Sequence, residues 1–267
     1  MFGKLLKAEW RASRRVVGIL CLAVFIAALV LGAVGCCLLL AERYNWSLHD
    51  STDLVIVSIS AAAMMVIGIS WAAGVFYALW RFYRSRFTEE GYLTCTLPVG
   101  GHQLMLSAIL ASVLEILVVL LATAASMVVG MGICALGIPW NEIPADFLPQ
   151  LRQQMKEMWQ QLAPYAGTIA GTLLTVALAA LGQLIQLMLS VTIGAMAAKK
   201  HPILMAILVY YGIGIVKTTI STAAMIGTGS LLNRFGVMTT VNVLSALTVV
   251  GGYLIMYFLT TKKLNLN

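Results

Sequence analysis

Long apolar stretches alternate with short polar ones along the chain. Six stretches are apolar enough to be read as spans: residues 16–40, 54–80, 104–138, 165–198, 203–227 and 241–261. A helix crosses the roughly 30 Å hydrocarbon core of a bilayer with about 20 apolar residues. Each stretch therefore predicts one transmembrane helix. The third and fourth exceed that need and would reach about 50 Å as helix. They must either tilt and protrude or break at one end. Gly130, Gly132 and Gly137 place the expected break late in the third.

Two further segments have a helical period without the apolar content. In residues 1–15, "MFGKLLKAEWRASRR", Lys4, Lys7, Arg11, Arg14 and Arg15 recur on one face of a helix and Phe2, Leu5, Leu6 and Trp10 on another. This predicts an interfacial helix with its bases near anionic headgroups. In residues 146–163, Phe147, Leu148, Leu151, Met155, Met158, Trp159 and Leu162 recur at helical spacing opposite Gln153, Gln154, Lys156, Glu157, Gln160 and Gln161. Asp146 is the expected N-cap, Pro149 fits the first turn and Pro164 is expected to end the helix. Such a helix lies on the outer leaflet, caps the outer ends of the spans, or acts as a lid over an exit path.

Composition turns these helices into a class. Of 267 residues, 61% are hydrophobic and 10% charged, with a mean hydropathy of +0.94. Soluble domains carry about 25% charged residues. The expected fold is therefore all-α: an integral membrane protein with six transmembrane helices in a single domain, 1–267. The net charge of +7 does not indicate nucleic acid, because no basic stripe is interleaved with aromatics. Basic residues instead mark the flank retained in the cytoplasm. With the N-terminus inside, twelve Lys and Arg fall on the inner side and four on the outer side. Both termini are thus expected in the cytoplasm of a multi-pass protein. The "AVGC" at Ala33–Cys36 is a poor lipoprotein cleavage site, and the apolar run continues past it, so the first helix is expected to remain uncleaved.

Little in the chain suggests catalysis. Cys21, Cys36, Cys37 and Cys134 lie in apolar runs and Cys95 in the first inner loop, with no CxxC pair. No HExxH and no GxxxxGK[ST] occurs, so no zinc-protease site and no P-loop is expected. His49, His102 and His201 sit in or beside loops, which leaves an intramembrane serine protease without its base. No catalytic residue, metal site or resident cofactor is expected.

Two charges do lie within spans. Glu115 and Lys217 are at similar depth and of opposite sign, and an uncompensated charge there costs at least about 2.5–3.5 kcal/mol. They are expected to pair across helices, to face a shared polar cavity, or to serve as a proton or substrate site. Gln183 and Gln186 lie three apart, on one helical face, and Gly167–Gly171 forms a GxxxG pattern suited to helix packing. With Glu115 and Lys217, the two glutamines are the candidates for a substrate pathway.

The most informative stretch is the inner loop between the second and third spans, residues 81–103. It reads Arg84 and Arg86, Glu89–Glu90, Gly91–Tyr92–Leu93, then Leu97–Pro98. This order resembles the first cytoplasmic loop of permease subunits from bacterial type-2 ATP-binding-cassette exporters. The opening "FGKLLKAEW" is similar to that family's N-terminal elbow helix and "KKLNLN", Lys262–Asn267, to its usual ending. Six spans with both ends inside also match its layout. The resemblance implies that the loop holds a short cytoplasmic coupling helix, which docks on a separate ATPase subunit through Glu89, Glu90, Gly91, Tyr92, Leu93, Leu97 and Pro98. ATP and Mg would then be bound by that ATPase, not by this chain. A second permease subunit, identical or not, would complete the exporter in the bacterial plasma membrane, among membrane lipids. The substrate would be a hydrophobic or amphipathic drug, peptide or lipid. Other classes compatible with the residues are a gradient-driven secondary transporter using Glu115 and a non-transporting assembly or immunity factor.

Overall fold

The computed structural model describes residues 2–44, 50–88, 100–138, 146–198, 200–227 and 234–262. Every regular element among them is helical: α1 (Phe2–Arg43), α2 (Asp50–Phe87), α3 (Gly101–Ala135), α4 (Phe147–Leu162), α5 (Ala166–Ala197), α6 (Pro202–Gly227) and α7 (Arg234–Lys262). Six stretches are long and apolar enough to cross a membrane. Their outer faces carry large apolar side chains such as Leu22, Met65, Leu173, Leu204 and Ile215. A surface of this kind is at home only in lipid. The chain is an all-α integral membrane protein.

Hydroxyls within the spans are satisfied locally. Ser70 donates to the Val66 carbonyl at 2.7 Å, Ser126 to Ala122 at 2.6 Å and Thr175 to Gly171 at 2.8 Å. A hydroxyl returned to the preceding turn leaves no open donor facing hydrocarbon.

Several elements differ from the sequence reading. Residues 2–15 are helical and amphipathic as expected, with the five bases exposed and Phe2, Leu5, Leu6 and Trp10 turned inward. They are not a separate elbow, however, but the first turns of the 42-residue α1. Ser13 sits fully buried, and its hydroxyl returns to the Trp10 carbonyl at 3.2 Å. No proline or glycine lies between Lys4 and Val17 to break the helix. Likewise α3 runs unbroken through Gly130 and Gly132, and stops at Ala135 just before Gly137. The helix α4 spans Phe147–Leu162 and ends, as expected, ahead of Pro164. The proline stands at the start of a 3-10 turn, Ala163–Tyr165, that leads directly into α5. Met155, Met158 and Trp159 on the apolar side of α4 are all exposed, Trp159 at 75%.

The helices group into two compact units, one formed by Met1–Ala78 and Leu110–Leu148 and the other by Leu79–Ile109 and Pro149–Asn267. In the first, α1 and α3 run parallel and touch through their backbones. A Cβ on Gly130 would lie 2.7 Å from the Ala28 carbonyl oxygen, and one on Gly35 would lie 2.7 Å from Cys134 Sγ. Gly74 of α2 faces Leu20 and Val119, in the same register.

In the second unit α5 is the central helix and packs on both α6 and α7. It runs antiparallel to α6 and parallel to α7, as three successive spans must. The closest approach is at Gly194, where a Cβ would lie 2.6 Å from the Ala206 nitrogen. Met188, Leu189 and Met256 fill the core of this unit. Gly167 and Gly171, which the sequence offered as a packing motif, have open space where a side chain would go.

Candidate functional site

The seven residues expected to dock a partner, Glu89 to Pro98, lie outside the described residues. The base of their loop does not. At its start, Arg86 near the end of α2 donates through Nη2 to the Leu104 carbonyl of α3. Its guanidinium thereby holds the two helices together beneath the loop. At the loop's end, the His102 ring lies flat on Tyr257 of α7, with centroids 3.6 Å apart and planes at 12°. His102 Nδ1 also shares a 3.0 Å hydrogen bond with the Tyr253 hydroxyl. Gly101 faces Thr261, so the start of α3 is seated on the last turns of α7. His102, Tyr253 and Tyr257 were not singled out together from sequence. The i, i+4 spacing of the two tyrosines is visible there, but nothing links them to a histidine 151 positions away.

Of the four residues expected along a pathway, three lie in the second unit, on the adjacent helices α5 and α6. Gln186 of α5 is 2% exposed and donates from Nε2 to the Tyr210 carbonyl of α6 at 3.4 Å. Its Oε1 is buried without a hydrogen-bond partner among the described residues. Gly214 faces it, since a Cβ there would lie 3.7 Å from Nε2. Gly194 facing Ala206 and Gln186 facing Gly214 define one antiparallel register. Carried one turn further, it sets Gln183 level with Lys217. The two layers are about 4.5 Å apart along the helices.

Gln183 and Gln186 do not share an environment, contrary to the reading of their spacing. Gln186 points into the α5–α6 contact, whereas Gln183 is exposed at mid-span. Lys217 is half-buried at the edge of the same seam. It lies about 15 Å from Gly227, the nearer end of α6. Within its own unit and among the described residues, Lys217 has no ion-pair or hydrogen-bond partner. The seam therefore offers one ammonium, one exposed amide and one buried amide oxygen, in a surround of apolar side chains. It can bind a polar group, but no nucleophile and base stand together in it.

Glu115, the fourth candidate, belongs to the other unit, on α3, and is 3% exposed. Ala111, Ser112 and Val119 are buried on the same side of α3. No group of three or more His, Cys, Asp or Glu able to hold a metal occurs among the described residues.

Comparisons with protein-family models, with curated proteins and with solved structures give no match to this chain.

Proposed function

We propose that the chain is the permease subunit of an ATP-binding-cassette exporter of the type-2 class. It moves a hydrophobic or amphipathic substrate out of the cell with energy supplied by a separate cytoplasmic ATPase. The observation that carries this reading is the loop between α2 and α3. Its sequence, Glu89–Glu90–Gly91–Tyr92–Leu93 followed by Leu97–Pro98, resembles a coupling helix. Its base is tied on one side by Arg86 to Leu104 and on the other by His102 to α7. A loop built to receive force needs such anchorage, while one that only joins two spans does not. The absence of a P-loop from the chain agrees with an external energy source.

The test is co-purification with a P-loop ATPase that lacks spans of its own and is encoded beside this chain. Replacing Glu89 and Glu90 together with alanine is expected to weaken that association about tenfold, equivalent to about 1.4 kcal/mol. Unchanged association and unchanged transport would remove the loop from the mechanism.

The exporter layout also places both termini in the cytoplasm and α4 outside. In a cysteine-free background, Gln161→Cys should react with a membrane-impermeant thiol reagent added to intact cells. A cysteine introduced at Lys7 should react only after lysis. The reverse pattern would invert the topology and remove the loop from reach of a cytoplasmic ATPase.

A second reading draws on Glu115. A carboxylate 3% exposed within a span is suited to carry a proton in a gradient-driven transporter. Transport that persists without any ATPase and stops with a protonophore would favour it.

A further inference from the structure

We propose that the α5–α6 seam around Lys217, Gln183 and Gln186 binds the headgroup of an anionic amphiphile, one that carries both a negative oxygen and an O–H or N–H donor. A phosphate monoester or a phosphoglycerol on an apolar tail has this chemistry.

Three observations converge on it. The first is charge. Lys217 lies well inside a span, where an ammonium without a counter-charge is unfavourable. Among the described residues of its unit, Glu157 on the external helix α4 is the only carboxylate. An anion arriving between α5 and α6 would meet that need. The second is the buried amide. Gln186 Oε1 is an acceptor without a donor, one layer from Lys217 in the register of the two helices. Leaving a buried acceptor unsatisfied is destabilising. A ligand O–H or N–H would satisfy it, and a simple halide or a fully ionised carboxylate would not. The third is the surround. Val216 and Ile220, next to Lys217 and one turn on from it, are exposed and apolar. A headgroup in the seam would have its tail against these side chains. Gly214 keeps the space opposite Gln186 free of any side chain.

The inference deepens the transport reading by naming a substrate class, and rests on that reading only in calling the ligand a substrate. Its test uses the full chain alone, in phosphatidylcholine nanodiscs without any ATPase. Failure here therefore leaves the ATPase docking intact, and failure of co-purification leaves this site intact. The probes are dodecyl phosphate and, as the neutral control, dodecanol. The wild type is expected to bind dodecyl phosphate saturably and at least about tenfold more tightly than dodecanol, the size of one charge-assisted hydrogen bond. Lys217→Gln should bring that preference close to unity, while Lys217→Arg should keep it. Gln183→Leu, at an exposed position, should reduce it about threefold, and serves if the Lys217 variant does not fold.

Discs containing phosphatidylglycerol separate the sources. Competition with dodecyl phosphate that depends on Lys217 assigns the site to a lipid headgroup. Its absence, with dodecyl phosphate still bound, assigns the site to a smaller amphiphile. An unchanged preference in Lys217→Gln or in Gln183→Leu overturns the proposal. So does a Lys217→Glu variant that is unfolded alone but restored by Glu115→Lys, because Lys217 would then be one half of a structural ion pair.

Discussion

Replacing Gly194 with leucine is expected to remove most of the folded protein, while the same change at Gly212 should leave it almost unaffected. Both glycines lie in the α5–α6 pair. At Gly194 a Cβ would lie 2.6 Å from the Ala206 nitrogen and 2.8 Å from its Cα, both backbone atoms. A rotamer change cannot relieve a clash with backbone, so the helices themselves must part. At Gly212 a Cβ meets nothing within 4 Å. Association of helices in lipid depends on close packing rather than on expulsion of water. Separating the pair therefore removes much of what holds it. Overpacking typically costs about 1–3 kcal/mol, and a backbone clash at the centre of a helix contact belongs at the upper end. Size-exclusion chromatography and thermal unfolding in one detergent give the comparison. Equal loss at the two positions would mean that α5 and α6 do not meet at Gly194. The seam would lose its basis with them, since Gly194 sets the register that brings Lys217 level with Gln183.

Much of the fold was legible because lipid imposes a simple demand. A span must be apolar, helical and about 20 residues long, and all six appear where the apolar runs lie. The amphipathic division of residues 2–15 and of α4 followed from a 3.6-residue period alone. What could not be read were facts about neighbours. Gly130 and Gly132 looked like a break, yet Gly130 is a contact with Ala28, and only the position of α1 distinguishes the two roles. Gly167 and Gly171 looked like a contact and face open space. Gln183 and Gln186 share a nominal face, but the edge of the α5–α6 contact passes between them. The separate interfacial helix expected over residues 1–15 was read from their amphipathic period, which sets a face but not a boundary, and the residues before Val17 supply no helix breaker. The coupling motif carries the functional proposal, while its anchorage through His102 depends on a pairing across most of the chain.

That anchorage is where the largest loss of function without loss of assembly is expected. If the loop between α2 and α3 receives the motion of an ATPase, its displacement must reach α5 and α6 to open a path for substrate. His102 gives a route. It joins the end of the loop to α7 by ring stacking on Tyr257 and by the hydrogen bond to Tyr253, and α7 in turn packs along α5. Stacking contributes about 0.5–1.5 kcal/mol and a hydrogen bond a similar amount. Removing both with His102→Ala weakens the link by about 1–3 kcal/mol, which as a coupling energy corresponds to about 5–150-fold. Substrate stimulation of the partner's ATP hydrolysis should fall by a factor in that range, and transport with it. Co-purification with the ATPase should be unchanged, since Glu89 to Pro98 remain. Tyr257→Phe keeps the stacked ring and should retain most of the coupling, whereas Tyr257→Ala removes the stacking but leaves the hydrogen bond to Tyr253 and should fall between the wild type and His102→Ala. This split between binding and coupling is the deciding feature. A merely structural histidine would lower the yield of the complex and leave the stimulation of what remains intact. An ATPase fully stimulated by substrate in the His102→Ala complex would mean that force enters the membrane helices elsewhere, with Arg86 and its hold on the Leu104 carbonyl the next place to cut.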